Sequence, residues 1–173
     1  MASVAEHLVH QLEGAGVRHI YGIVGDSLNP VVDAVRRSKK IRWIHVRHEE
    51  TAAFAAAAEA EITGQLAVCA GSCGPGNLHL INGLYDANRS HLPVLAIASH
   101  IPTSQIGTGF FQETHPDRIF DECSVFSEMI SSSEQVPRVT RSAIQQALSN
   151  HGVAVLTLPG DIADMEAVSY THL

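Results

Sequence analysis

The chain has 173 residues, about one domain's worth, with 45% apolar and 17% charged residues, enough to bury a core without disulfides or a structural metal. A formal net charge of -7, with no basic run beyond Arg36-Arg37-Ser38-Lys39-Lys40, excludes a nucleic-acid surface. No stretch approaches the ~20 apolar residues of a transmembrane helix.

The expected setting is cytoplasmic. Met1 to Glu6 lacks the charge-then-apolar plan of a signal peptide. Cys69, Cys73 and Cys123 read as reduced thiols, and the Cys69-x3-Cys73 spacing lacks the companion ligands of a zinc site. Aromatic residues make up only 5%, so Val, Ile, Leu and Ala must build the core.

Val4, Leu8, Val9 and Leu12 fall on one helical face, with Ser3 as N-cap and Gly14 and Gly16 as the stop. His19 to Ile23 reads as a strand. Asp26-Ser27 then caps a helix through Val31, Val32 and Val35, with Pro30 in its first turn. The basic stretch that follows suits the negative end of that helix's dipole. Ile41 to Val46 is a second strand, and His48 to Ile62 an alanine-rich helix ended by Gly64. Leu66 to Ala70 is a third strand, followed by the turn Gly71-Ser72-Cys73-Gly74-Pro75-Gly76 and a helix to Asn88. Pro93 to Ala98 is apolar throughout, as in a strand covered on both faces. Residues 100–116, with Pro102, Gly107, Gly109 and Pro116, read as a long loop. Phe120 to Cys123 finishes a short helix. Val125 to Ile130 is a fifth strand, Ser131-Ser132-Ser133 caps a helix through Val139, Ile144 and Leu148, and Val153 to Leu158 is a sixth strand. This alternation predicts an α/β fold: a doubly wound, mainly parallel six-stranded sheet with helices on both faces.

Ligands in such sheets sit beyond the carboxyl ends of strands. In Arg47-His48-Glu49-Glu50 a helix opens with two carboxylates, which taken alone complement the helix dipole. Glu49 also precedes Ala52, Ala53, Ala56 and Ala57 at helical spacing, so it stands over the small-residue face. Glu50 aligns with Glu61 on what reads as a solvated stripe. The turn at Gly71–Gly76 lets a ligand approach backbone, or is simply a tight turn. It is neither a Walker loop nor a dinucleotide fingerprint. Val24-Gly25 lies in a second glycine turn that alone reads as a capped helix start, and Phe110-Phe111-Gln112-Glu113 is equally a pocket wall or a packed loop. The eleven histidines show no metal spacing, and Ser72 lacks the order of a nucleophile elbow.

Together and in order, several segments resemble the amino-terminal, pyrimidine-binding domain of thiamine-diphosphate enzymes. They are Tyr21 to Asn29, Arg47 to Glu50, Val68 to Leu84, His91 to Ile97 and Phe111-Gln112-Glu113. The nearest look-alikes are bacterial pyruvate oxidase and quinone-dependent pyruvate dehydrogenase, with acetolactate synthase further off. The resemblance covers residues 1–165; residues 166–173 form a non-matching tail.

The resemblance implies that Glu49, directly after the histidine, binds N1′ of the cofactor's aminopyrimidine. Its proton favours the imino form that activates thiamine diphosphate towards pyruvate. Val24 and Gly25 would border the ring, Pro75 and His79 form its other wall, and Phe111 and Gln112 face the substrate. Relatives often have proline at the position of Val24 and glycine or alanine at Asp26.

Family members usually add a middle domain, holding FAD in the oxidase branch, and a last domain whose Gly-Asp-Gly stretch and later asparagine pair hold magnesium and the diphosphate. Gly160-Asp161-Ile162 does not match that stretch, and no metal ligand is assigned here. The resemblance therefore implies a half-site, inactive alone. It would be completed by the diphosphate-binding domain of a neighbouring subunit in a homo-oligomer whose intact form could associate peripherally with a membrane. The electron acceptor, quinone or oxygen, is not encoded in this stretch. The tail Val168 to Leu173 leaves the family pattern, as in a truncated product, a fragment or a frame change. Two other readings stand beside this one: the small subunit of a two-chain thiamine-diphosphate 2-oxoacid decarboxylase, and a non-catalytic fragment that keeps the fold.

Overall fold

Local sequence sets the first helix of the computed structural model, which describes residues 2–167. Helix α1 (Val4–Gly14) opens on a reciprocal cap. Ser3 Oγ accepts from the Glu6 amide at 3.2 Å, and Glu6 Oε2 accepts from the Ser3 amide at 2.8 Å. Strand β1 (His19–Gly22) follows, then a single 3₁₀ turn at Asp26–Leu28 and helix α2 (Asn29–Ser38). Strand β2 (Arg42–His45) leads to helix α3 (Glu49–Thr63), which His48 caps with Nδ1 accepting from the Glu50 amide at 3.3 Å. Strand β3 (Ala67–Gly71), helix α4 (Pro75–Arg89) and strand β4 (Val94–His100) come next. A loop with one 3₁₀ turn then reaches the short helix α5 (Pro116–Ile119), strand β5 (Phe126–Met129), helix α6 (Val136–Asn150), strand β6 (Val153–Pro159) and helix α7 (Gly160–Asp164).

All strand pairs are parallel, in the order β2-β1-β3-β4-β6-β5. The six-stranded α/β sheet with helices on both faces is thus the architecture that the alternation of elements predicts. Side-chain alternation along each central strand divides the core in two. Val68 and Ala70 of β3, Leu95 and Ile97 of β4, and Ala154 and Leu156 of β6 face α1, α2, α6 and α7. Their neighbours Ala67, Cys69, Val94, Ala96, Val153 and Val155 face α3 and α4. The alanine face of α3 lets it lie close on α4: a β-carbon on Gly83 would come within 2.6 Å of Ala53 Cβ.

Two capping expectations fail. Asp26-Ser27 does not cap α2, whose N-cap is Leu28, and α6 starts without a side-chain cap from Ser131–Ser133. Ser27 has other partners, described below. At the end of the described residues the Ala167 amide donates to the Ala2 carbonyl at 2.8 Å, and Ser3 pairs with Glu166 in an isolated antiparallel bridge. The tail Val168 to Leu173 lies outside the described residues. Among the described residues no helix is long and apolar enough to cross a membrane, and Cys69, Cys73 and Cys123 are unpaired thiols.

Candidate functional site

The strand order reverses about β1, which lies between β2 and β3. Crevices form at such switch points because successive crossovers depart to opposite sides. The turns after β1 and β3 meet there around a cavity of about 380 Å³. Its walls carry Val24, Gly25, Glu49, Pro75, Gly76, His79 and Gln112, together with Asp26, Ser27, Ser72 and Cys73. Of the residues singled out in the sequence, Val24, Gly25, Glu49, Pro75, His79 and Gln112 are therefore brought together. Phe111 is outside this lining and 80% exposed.

Glu49 carries the buried carboxyl group of the site, only 7% exposed at the first turn of α3. It looks across to α4, where His79 Nδ1 stands 3.0 Å from its Oε2. With its proton on Nδ1, that imidazole donates to the carboxylate, a charge-assisted bond. The His48 ring stacks on His79 with centroids 4.3 Å apart. Among the described residues Glu49 Oε1 has no partner, and it lies 3.2 Å from where a β-carbon on Gly76 would stand. Glu50 turns away and accepts from Asn82 Nδ2 on α4, so it tethers the two helices and is only half exposed.

The floor is a chain of hydroxyls that sequence reasoning missed. Ser27 Oγ lies 3.0 Å from Ser72 Oγ and 2.5 Å from Ser99 Oγ, and it accepts from the Cys73 amide at 3.1 Å. It thereby ties the ends of β1, β3 and β4. Asn77, fully buried, donates from Nδ2 to the Ser99 carbonyl at 2.8 Å. The far wall comes from the loop after β4. Gly74 has φ 68, and a β-carbon there would meet Gln112 Cβ and its carbonyl oxygen at 2.8 Å. Glycine is needed at that position for both hand and space.

A larger cleft, about 810 Å³, opens between α1, α2 and α7. Glu6, Asp26, Asp33, Asp161, Asp164 and Glu166 line it against the single guanidinium of Arg37. Arg37 is already paired with Glu6 at 2.7 Å and Asp33 at 2.9 Å. Size does not make it the site: its field repels anions, and it lacks the convergence of a buried acceptor with open backbone seen at the switch point.

Residues 2–120 match the family described as "Thiamine pyrophosphate enzyme, N-terminal TPP binding domain". The chain belongs to this family. A "Pyruvate oxidase" of Lactiplantibacillus plantarum is 41% identical across 90% of this chain and 26% of its own length. An "Acetolactate synthase" of Mycobacterium bovis is 36% identical across 91% of this chain and 26% of its own. An uncharacterised 42.6 kDa protein from the isoamylase 3′ region of Pseudomonas amyloderamosa is 62% identical across 95% of this chain and 41% of its own length. The chain thus spans well under half the length of these relatives.

Proposed function

We propose that this chain supplies the pyrimidine-binding half of a thiamine-diphosphate site in an enzyme that oxidatively decarboxylates pyruvate. The observation that carries the reading is Glu49: buried, with Oε2 held by His79 and Oε1 left open beside Gly76.

The residues fit an aminopyrimidine. Such a ring is flat and polar at its edge. It needs apolar walls and an acceptor for a ring N–H. Val24, Gly25 and Pro75 provide low walls on the cavity of about 380 Å³, and Glu49 Oε1 provides the acceptor. When bound, thiamine diphosphate supplies the nucleophile and the electron sink for removing carbon dioxide from a 2-oxo acid. The chain's own part is position and proton control. Glu49 holds a proton between its Oε1 and the ring nitrogen, His79 fixes the carboxylate's orientation, and Gln112 closes the side facing substrate. Phe111 would reach that substrate from the loop.

The diphosphate, its magnesium and any FAD fall to other domains on this reading, with the diphosphate-binding domain contributed by a neighbouring subunit of a homo-oligomer. This domain by itself is inactive. The pyruvate oxidase assignment is favoured by the 41% identity to that enzyme, against 36% to an acetolactate synthase over nearly the same residues.

The ligand half of the reading is tested by titrating thiamine, which carries the aminopyrimidine without the diphosphate, into ¹⁵N-labelled chain. Shift changes should centre on Glu49, Gly76 and His79 and vanish in Glu49→Gln. Changes confined to the acidic cleft, or changes indifferent to Glu49→Gln, would remove the basis for the proposal.

A further inference from the structure

After β4 the chain runs through a loop that returns to the cavity at Gln112 without a strand or long helix to hold it. Thr108 reaches back to the Gln105 carbonyl, its amide donating at 3.3 Å and its hydroxyl at 2.8 Å. The start of the loop is held by Asp161, whose carboxylate accepts from the Thr103 amide at 3.1 Å and hydroxyl at 2.6 Å, and its tip by a second carboxylate. Glu113 Oε1 accepts from the Gly107 amide, and Oε2 accepts from the amides of Gly109 at 2.7 Å and Phe110 at 3.1 Å. The Glu113 amide donates in turn to the Phe110 carbonyl at 2.9 Å. Gly107 and Gly109 have φ of 84 and 73, and such turns let nearby amides converge on an anion. Bonds to a charged acceptor are roughly twice as strong as neutral ones.

Gln112 itself has φ 65, a conformation that a non-glycine residue keeps only where its surroundings impose it. Its backbone leans on Gly74, and its Oε1 accepts from Cys73 Sγ at 3.5 Å. The turn bond from the Glu113 amide to the Phe110 carbonyl puts Gln112 at the turn's third position, and the Glu113 carboxylate fastens that turn to Gly107 and Gly109.

We propose that Glu113 is a positioning residue: its carboxylate clamps residues 107–110 and thereby holds Gln112 down on Gly74 at the mouth of the cavity. Its consequence for substrate rests on the cofactor-site reading above; its geometry does not. Glu113→Gln replaces one accepting oxygen with an NH₂ group that opposes the converging amides. The loop lifts, and Cys73, now 8% exposed beneath Gln112, opens to solvent.

Alkylation by iodoacetamide reads this out with internal controls. Cys69 and Cys123 are fully buried, and burial pushes their thiols up to about 12 and about 11, so native chain labels neither. In Glu113→Gln, Cys73 labelling is expected to rise about tenfold, the equivalent of about 1.4 kcal/mol, while Cys69 and Cys123 stay silent. In a Gln112→Ala background the same change should add little, because both act on one contact. Cys73 labelling at the parent rate, or full additivity with Gln112→Ala, overturns the assignment. If Glu113→Gln exposes all three cysteines, the variant has unfolded and amide exchange in the unaltered chain decides: protection at Gly107, Gly109 and Phe110 supports the clamp, and free exchange there overturns it. No thiamine is present in any arm, so this result and the cofactor titration fail independently.

Discussion

Gly83→Ala puts the packing of the site's two helices to a quantitative test. A β-carbon at this position of α4 would stand 2.6 Å from Ala53 Cβ, 3.0 Å from Phe54 N and 3.1 Å from the Glu50 carbonyl oxygen. Two effects oppose each other. Alanine favours a helix interior over glycine by about 0.8–1.0 kcal/mol. Overpacking a core costs about 1–3 kcal/mol. Two of the three close atoms are backbone and have no rotamer to escape into, so the upper part of that range, about 2–3 kcal/mol, applies. The net loss is about 1–2 kcal/mol, which lowers Tm by about 2–8 °C for a domain of this size. Urea unfolding followed by Trp43, the single tryptophan, on β2 away from the substitution, measures it. Ala53→Gly in the same chain removes the closest contact and should restore part of the loss, with non-additive energies. The substitution also parts α4 from α3 and so draws His79 from Glu49. A Gly83→Ala chain as stable as its parent would refute the close crossing on which the Glu49–His79 pair depends.

Ser27→Ala deprives Ser72, Ser99 and the Cys73 amide of a shared partner. It should cost about 1–3 kcal/mol, the penalty for part-buried polar groups left unpaired, and speed exchange of the Cys73 amide; unchanged exchange counts against a hub at Ser27. Stability should also fall with acid. Burial lowers the pKa of His7 and His100 below the ordinary 6.5, so the unfolded chain binds protons first; their contribution is complete above about pH 6.5 and is lost as pH falls towards the lower folded values. Urea titrations between neutral pH and about pH 5 check this, and a flat profile, or one that rises on acidification, contradicts it.

Much of this fold is legible because its elements are patterned locally. Ser3 reads as the N-cap of α1 and is, and the alternation of strand and helix segments predicts the parallel sheet that forms. Glu49 is legible for the same reason: helical spacing places it over Ala52, Ala53, Ala56 and Ala57, all buried. The order of strands is not local, and what depends on it was hidden. Ser27 reads as a helix cap until β3 and β4 are known to lie beside β1, when Ser72 and Ser99 arrive as its partners. Gln112 lies far in sequence from the turn it touches, and only the loop's return onto Gly74 places it at the cavity. Phe111 is its neighbour in sequence but points its exposure elsewhere than the lining, a distinction that adjacency in sequence cannot make.

The most direct test of the central claim is complementation. The chain is mixed with a separately expressed flavin- and diphosphate-binding portion of a pyruvate oxidase, and thiamine diphosphate, magnesium and pyruvate are added. The account predicts carbon dioxide release that requires this chain and disappears in Glu49→Gln. Release that survives Glu49→Gln at the parent rate would contradict the assignment of Glu49 and of the cavity it serves.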